Sequence, residues 1–326
     1  MVRLEDRPVP PPRERSPVLR WRRILRRRLP PPAQPSPPPE AVSAEDRALL
    51  ESFARTPAPG EDGFVIDFLG VRTRVGFLGD GARGFSGAVT GVPIPHDFRA
   101  YAAEWLGLIR AVAAARGRFV AMELGAGWGP WLVAGAAAAA RRGIREIRLC
   151  AVEADPGHVA FLHQHFRDNG LDPAAHRLFA AAVGPAAGEA WWPVAADPAN
   201  DYGGRVFEAN AGVRPGLRRI EMLGLADLLA AEPRWDFVHL DIQGMEAAIC
   251  AAAAEALAAR VARLVIGTHT RRIEGELLEL FHHLGWALDH EAPGSFVWRP
   301  EAPSVQDMGV LDGLQIWRNP RLAPRR

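Results

Sequence analysis

From residue 119 to residue 317 the chain alternates short apolar runs with longer stretches whose apolar residues recur at helical spacing. Residues 119–124 and 147–153 are too short for helices and rich in apolar side chains, so they predict strands. Between them, 130–142 predict a helix that opens on Pro130 and closes on Arg141, Arg142 and Gly143, so that start, stop and dipole signals agree. A second helix over 156–169 takes Asp155 as its cap and carries Val159, Leu162 and Phe166 on its inner face. Further strands are expected at 178–183, 237–241 and 261–268, further helices at 245–260 and 271–284, and closing strands at 286–291 and 314–317. Strands alternating with crossover helices build a parallel sheet covered on both faces. The expected fold class is α/β, a Rossmann-like, doubly wound, mostly parallel sheet.

Ahead of this region, 97–116 predict a helix through Phe98, Tyr101, Trp105, Leu108 and Val112, and 64–78 read as one or two strands. Residues 185–222 interrupt the rhythm with turn formers around Trp191, Trp192, Tyr202, Gly203 and Gly204, and are read as an insertion near the site. The first 45 residues are dominated by proline and arginine, as at Pro10-Pro11-Pro12 and Pro30-Pro31-Pro32, a composition that cannot bury a core. The expected organisation is a disordered tail at 1–45, a small lead-in element at 46–95 and a catalytic domain at 96–326. Within the tail, Trp21, Ile24 and Leu25 interleave with Arg22, Arg23 and Arg26, which would suit a weak contact with an anionic surface; a solvated tail is the preferred reading.

Composition then narrows the function classes. A chain of 326 residues at 48% hydrophobic content supports one sizeable core, and a net charge of +1 supplies no field to attract nucleic acid. No nucleic-acid partner is expected. Cys150 and Cys250 lie in apolar segments without a CxxC companion and are read as reduced, buried thiols. No apolar run approaches the ~20 residues that span a bilayer, and no signal region opens the chain, so a cytoplasmic location is expected.

The strongest chemical signal is Glu123-Leu124-Gly125-Ala126-Gly127-Trp128-Gly129, where the first strand of the alternation hands over to its helix. Glycines there let the backbone turn tightly and approach a ligand, as at a nucleotide-like cofactor site. A dinucleotide fingerprint needs G-x-G-x-x-G, and its third glycine position is Pro130 here. Glu153 ends the second strand, where an acid accepts hydrogen bonds from ribose hydroxyls, and Asp155 is assigned the helix cap. His158, His163 and His165 lack the i, i+4 pairing of a metal-binding helix and are read as surface or rim residues, as are His282 and His283. Trp191, Trp192, Trp286, Trp298 and Trp317 are read first as core or strand-pair residues, with substrate contact kept as the second reading for Trp191 and Trp192 alone.

At these residues the chain resembles the FkbM family of S-adenosylmethionine-dependent methyltransferases, over about residues 95–320. The family's Asp-x-Glu-Gly-x-Glu reads here Asp241-Ile242-Gln243-Gly244-Met245-Glu246, with Gln243 in place of the middle acid. The resemblance implies a class I methyltransferase fold, S-adenosylmethionine as cofactor, and methyl transfer to a hydroxyl of a sugar, glycan or other small natural product. It implies cofactor contacts from Glu123, Gly125, Ala126, Gly127, Gly129, Glu153 and Asp241. Ala182 would meet the adenine through the backbone, because Ala181-Ala182-Val183-Gly184 offers no acid.

Asp241 and His269 follow the fourth and fifth strands, at the end of an open sheet where ligands gather. They are the expected catalytic pair, with His269 as base and Asp241 orienting it or the acceptor. A divalent metal on the same two residues is the less favoured alternative, because two clear ligands and a neutral Gln243 are a thin donor set, and no metal ligand is assigned. The rival functions are an NAD-dependent oxidoreductase, disfavoured by Pro130, and a catalytically idle domain tethering a glycan-assembly complex, disfavoured by the intact glycine motif and Glu153.

Overall fold

The computed structural model describes residues 42–56, 59–207 and 216–323. The Arg/Pro-rich stretch up to residue 41, with the surface contact expected of it, lies outside them. The tail boundary expected at 45 shifts, because α1 (Ala44–Glu51) is capped by the Ser43 hydroxyl, which accepts the Asp46 N–H. Leu50 and Phe53 are fully buried, and Asp46 pairs with Arg110 at 2.6 Å. The lead-in continues as an antiparallel hairpin of β1 (Phe64–Ile66) and β2 (Arg72–Arg74). The expected helix at 97–116 starts late, as α2 (Ala102–Ala114), because the Asp97 carboxylate accepts the Arg99 and Ala100 amides and holds a turn there.

The alternating region then runs β3 (Arg118–Leu124), α3 (Pro130–Arg141), β4 (Glu146–Glu153), α4 (Pro156–Asp168) and β5 (Arg177–Ala180). The strand expected at 178–183 divides: the Ala181 amide still reaches the Glu153 carbonyl, but β6 (Ala182–Gly184) turns away from β4. The insertion supplies β7 (Gly188–Pro193) and β8 (Leu217–Gly224), and these join β6 in a small sheet of order β6-β8-β7. The chain returns through α5 (Leu225–Ala230), β9 (Phe237–Leu240), α6 (Glu246–Ala252), α7 (Ala254–Arg260), β10 (Arg263–Thr268) and α8 (Arg271–His283). It closes with β11 (Ala287–Ala292), β12 (Ser295–Phe296), β13 (Gly309–Leu311) and β14 (Gly313–Arg318). The single helix expected at 245–260 is two, divided at Ala253; this alanine-rich stretch carries no capping residue that would announce the break.

The central sheet has the order β11-β14-β10-β9-β3-β4-β5. Strands β5, β4, β3, β9 and β10 run parallel, whereas β14 is antiparallel to both β10 and β11. The reversal brings the start of β14 to the C-terminal end of β10, with Gly313 opposite Thr268. Both faces are covered, which is why the strands read as nearly continuous apolar runs. On β3, Phe119 and Ala121 face a core shared with α2, α3 and α4, while Val120, Met122 and Leu124 face one shared with α5 to α8.

Three surface or core expectations change. His158 and His165 are buried on the inner side of α4. His165 bonds the Trp128 carbonyl at 3.0 Å and the Thr73 hydroxyl at 3.2 Å; burial and the Arg99 charge push its pKa down to about 3. Trp298, read as a core residue, is 68% exposed, whereas Trp286 and Trp317 do pack on Phe281 in the core. Cys150 and Cys250 are free and buried. Among the described residues no helix is long and apolar enough to cross a membrane.

Candidate active site

A cleft of about 660 Å³, counting its open mouth, lies at the C-terminal ends of β3, β4 and β9 and is walled by the insertion after β7. Its floor is the glycine loop between β3 and α3. Gly125, Gly127 and Gly129 all have positive φ, at 73°, 53° and 72°, a conformation that favours glycine. Their missing side chains serve different ends. A Cβ on Gly125 would overlap the Asp241 carbonyl, and one on Gly129 would overlap Leu162 of α4, so these two glycines permit close packing. Only at Gly127 does the missing side chain open toward the cleft, 3.3 Å from the Tyr202 ring.

The loop's hydrogen bonds are largely satisfied from within. The Gly125 and Ala126 amides bond the Val152 carbonyl, and Gly129 bonds Ala126. Gly127 donates to Glu153 at 2.7 Å. Gly129 has no side chain with which to cap α3, and Pro130 has no N–H; Glu123 supplies the cap from beneath, accepting the Trp131 and Leu132 amides at 3.4 and 3.1 Å. Burial raises the Glu123 pKa to about 7, against the opposing charge of His239. Thus Gly125, Gly127, Glu153, Ala182 and Asp241 line the cleft, while Glu123 lies beneath the loop and Ala126 and Gly129 belong to the loop without lining the cleft.

Glu153 also accepts the Asp155 amide at 2.7 Å, and Asp155 in turn caps α4 through the Gly157 and His158 amides. His158 stands 3.6 Å from Glu153 and stacks on Tyr202, with ring centroids 4.1 Å apart. Burial disfavours the charged His158 ring, but Glu153 outweighs it and the pKa rises. The Tyr202 hydroxyl is tied to the Phe77 carbonyl at 2.7 Å, which anchors the insertion to the lead-in element. Sequence reasoning did not assign His158 or Tyr202 to the site. The signal available was the turn cluster around Tyr202, whose nearness to the site was expected but not its place above Gly127. Of the two insertion tryptophans, Trp192 lines the cleft and Trp191 does not.

At the far end, Asp241 and His269 do meet, with His269 Nε2 3.3 Å from Asp241 Oδ1. Glu246, fully buried, accepts the Ile242 and Gly244 amides and pairs with His269 Nδ1 at 2.9 Å. Gln243 sits between them with φ of 63°, the only non-glycine residue with positive φ among those described. Ligand atoms of Asp241, Glu246 and His269 all lie within 4.8 Å of one another. Burial disfavours a charged His269, but the Asp241 and Glu246 charges prevail and push its pKa up to about 10. An imidazole that already holds its proton at neutral pH cannot take one from a hydroxyl. The two acids therefore disfavour the role of base expected for His269. For Asp241, burial raises the pKa but the His269 charge outweighs it, so the group is a carboxylate.

No family model matches this chain. A curated protein of Jannaschia sp. (strain CCS1), named "Putative methyltransferase", is 28% identical over 280 residues, spanning 84% of this chain and 98% of that one. Among solved structures, methyltransferase FkbM from Methylobacillus flagellatus KT is similar at 13% identity and a TM-score of 0.39, over 66% of this chain and 54% of that one. Precorrin-6y C5,15-methyltransferase from Geobacter metallireducens GS-15 is similar at 12% identity and a TM-score of 0.38, over 68% and 88%. These two likenesses are too remote to bear on the chemistry of the cleft.

Proposed function

We propose that this chain is an S-adenosylmethionine-dependent methyltransferase acting on a hydroxyl of a small or glycan acceptor, as its resemblance to the FkbM family suggests. The observation that carries the choice of cofactor is the capping of α3. In a dinucleotide fold the first helix receives a pyrophosphate on its N-terminal amides. Here Pro130 offers no amide, and Glu123 holds those of Trp131 and Leu132. A phosphate arriving there would meet a buried carboxyl group that already holds both amides. The cleft suits an adenosine-containing cofactor without phosphate. Strand order agrees, since an all-parallel dinucleotide sheet has no counterpart of the antiparallel β14 between β10 and β11. Similarity to a protein named as a methyltransferase, over nearly that protein's whole length, supports the same reading.

The residues fit that cofactor. Gly127 leaves the space its side chain would fill, Glu153 offers acceptor oxygens for two ribose hydroxyls, and Ala182 leaves room for adenine against the backbone. When bound, S-adenosylmethionine supplies an electrophilic methyl group on a sulfonium. Asp241 reaches the cleft with a side chain 38% exposed. It would hold the acceptor hydroxyl in line and take its proton at Oδ2 as the methyl passes from sulfur to oxygen, with S-adenosylhomocysteine as the leaving group. His269, oriented by Glu246, stands beside the Asp241 carboxylate on the other side.

Calorimetry with S-adenosylhomocysteine and with NAD tests the cofactor: the first is expected to bind and the second not, and NAD binding alone would overturn the reading. With an acceptor in hand, Asp241→Asn should keep S-adenosylhomocysteine affinity and lose methyl transfer.

A further inference from the structure

The geometry beside Asp241 offers more than a single carboxylate. Strands β9, β10 and β14 are neighbours, and β14 runs against the other two. Asp241 follows β9, His269 follows β10, and Asp312 immediately precedes β14, so all three come to the same end of the sheet. Asp312, 71 positions from Asp241 in sequence, carries its Oδ2 to 4.0 Å from His269 Nε2.

We propose that Asp241, His269 and Asp312 form a site for one divalent cation at the acceptor end of the cleft. The observation beyond the carboxylates themselves is His269 Nε2. This atom belongs to a side chain only 3% exposed, it faces both acids, and it makes no aligned hydrogen bond with either. Its partner nitrogen, Nδ1, is held by Glu246, which the Ile242 and Gly244 amides fix in turn. That is the arrangement by which a carboxylate orients a metal-binding imidazole and leaves its second nitrogen for the ion, which takes the place of the Nε2 proton and releases it to solvent. The spacing agrees. Donors about 2.1 Å from one ion stand about 3.0 Å apart at a right angle and about 3.4 Å apart at a tetrahedral one. His269 Nε2 is 3.3 Å from Asp241 Oδ1, and Asp312, with a side chain 65% exposed, can close its 4.0 Å by rotation. One imidazole and two carboxylates suit a borderline to hard ion such as Mn²⁺ or Mg²⁺. The exposed edges of both acids leave its remaining positions open to water or to an acceptor oxygen. The role of the ion, holding that oxygen and lowering the pKa of its hydroxyl, rests on the methyltransferase reading; binding of the ion does not.

The test is a titration of the EDTA-stripped full chain with Mn²⁺, followed by loss of the free-ion electron paramagnetic resonance signal, with S-adenosylhomocysteine affinity measured on the same sample. One Mn²⁺ per chain is expected. Asp312→Asn and His269→Gln should each weaken it about tenfold or more while S-adenosylhomocysteine affinity stays unchanged. Asp312 is exposed, so its variant should fold even where the buried His269 variant does not. A wild-type protein that binds S-adenosylhomocysteine but no Mn²⁺ would overturn the site alone. Undiminished Mn²⁺ affinity in Asp312→Asn would do the same. Mn²⁺ binding without S-adenosylhomocysteine binding would leave the site standing and remove the cofactor assignment.

Discussion

Glu153 holds the Gly127 amide at 2.7 Å, so the acid that ends β4 also fixes the loop glycine whose missing side chain faces the cleft. Replacing Glu153 by alanine removes the acceptor for the ribose and leaves the buried Gly127 and Asp155 amides unpaired, at about 1–3 kcal/mol each. S-adenosylhomocysteine affinity should fall by about tenfold or more. Asp155→Ala removes a helix cap and should cost about 1 kcal/mol of stability with affinity nearly unchanged. Calorimetry beside thermal melts separates the two, and the opposite pattern would exchange their roles.

The three loop glycines should respond differently to substitution. Gly127→Val places a branched side chain in the cleft at a backbone angle valine rarely adopts, and should abolish S-adenosylhomocysteine binding and lower the melting temperature as well. Gly125→Ala forces a Cβ into the Asp241 carbonyl and should chiefly destabilise the fold, by more than about 1–3 kcal/mol. Equal cofactor affinity in wild type and Gly127→Val would show that the cleft is not the cofactor site.

His165 gives the fold a pH dependence of its own. Its folded pKa of about 3 lies below the ordinary 6.5, so the unfolded chain binds the extra proton. The stability it allows is present in full above about pH 6.5 and is lost progressively as pH falls toward 3. Between pH 6.5 and 5 the loss approaches about 2 kcal/mol. His165→Gln, which keeps a donor and an acceptor, should melt at a temperature that falls less than wild type between pH 7 and 5. Parallel slopes would remove His165 from the acid response.

Surface and core tryptophans offer a check on packing. Trp298→Ser should shift stability by less than about 0.5 kcal/mol, since the ring is 68% exposed, whereas Trp105→Ala, in the core beside Phe68 and Trp131, should cost about 3–5 kcal/mol. Urea denaturation measures both. A large loss with Trp298→Ser would mean that the ring is covered in solution.

Much of this protein was legible in its sequence because the deciding interactions are local. The alternation of β3, α3, β4 and α4 follows from apolar periodicity and from Pro130, Asp155 and Pro156 at helix starts. The glycine loop and Glu153 are recognisable because a strand end, a turn and a helix start lie within a few residues of each other. The tertiary structure decided the rest. Glu123 serves the helix start from beneath, His165 is inside, Tyr202 reaches over Gly127, and Glu246 and Asp312 converge on His269. Each of these depends on strand order or on a loop crossing from another element. Asp312 reaches His269 because β14 is inserted antiparallel beside β10, a choice made by the packing of whole strands, on which the residues next to Asp312 carry no local mark.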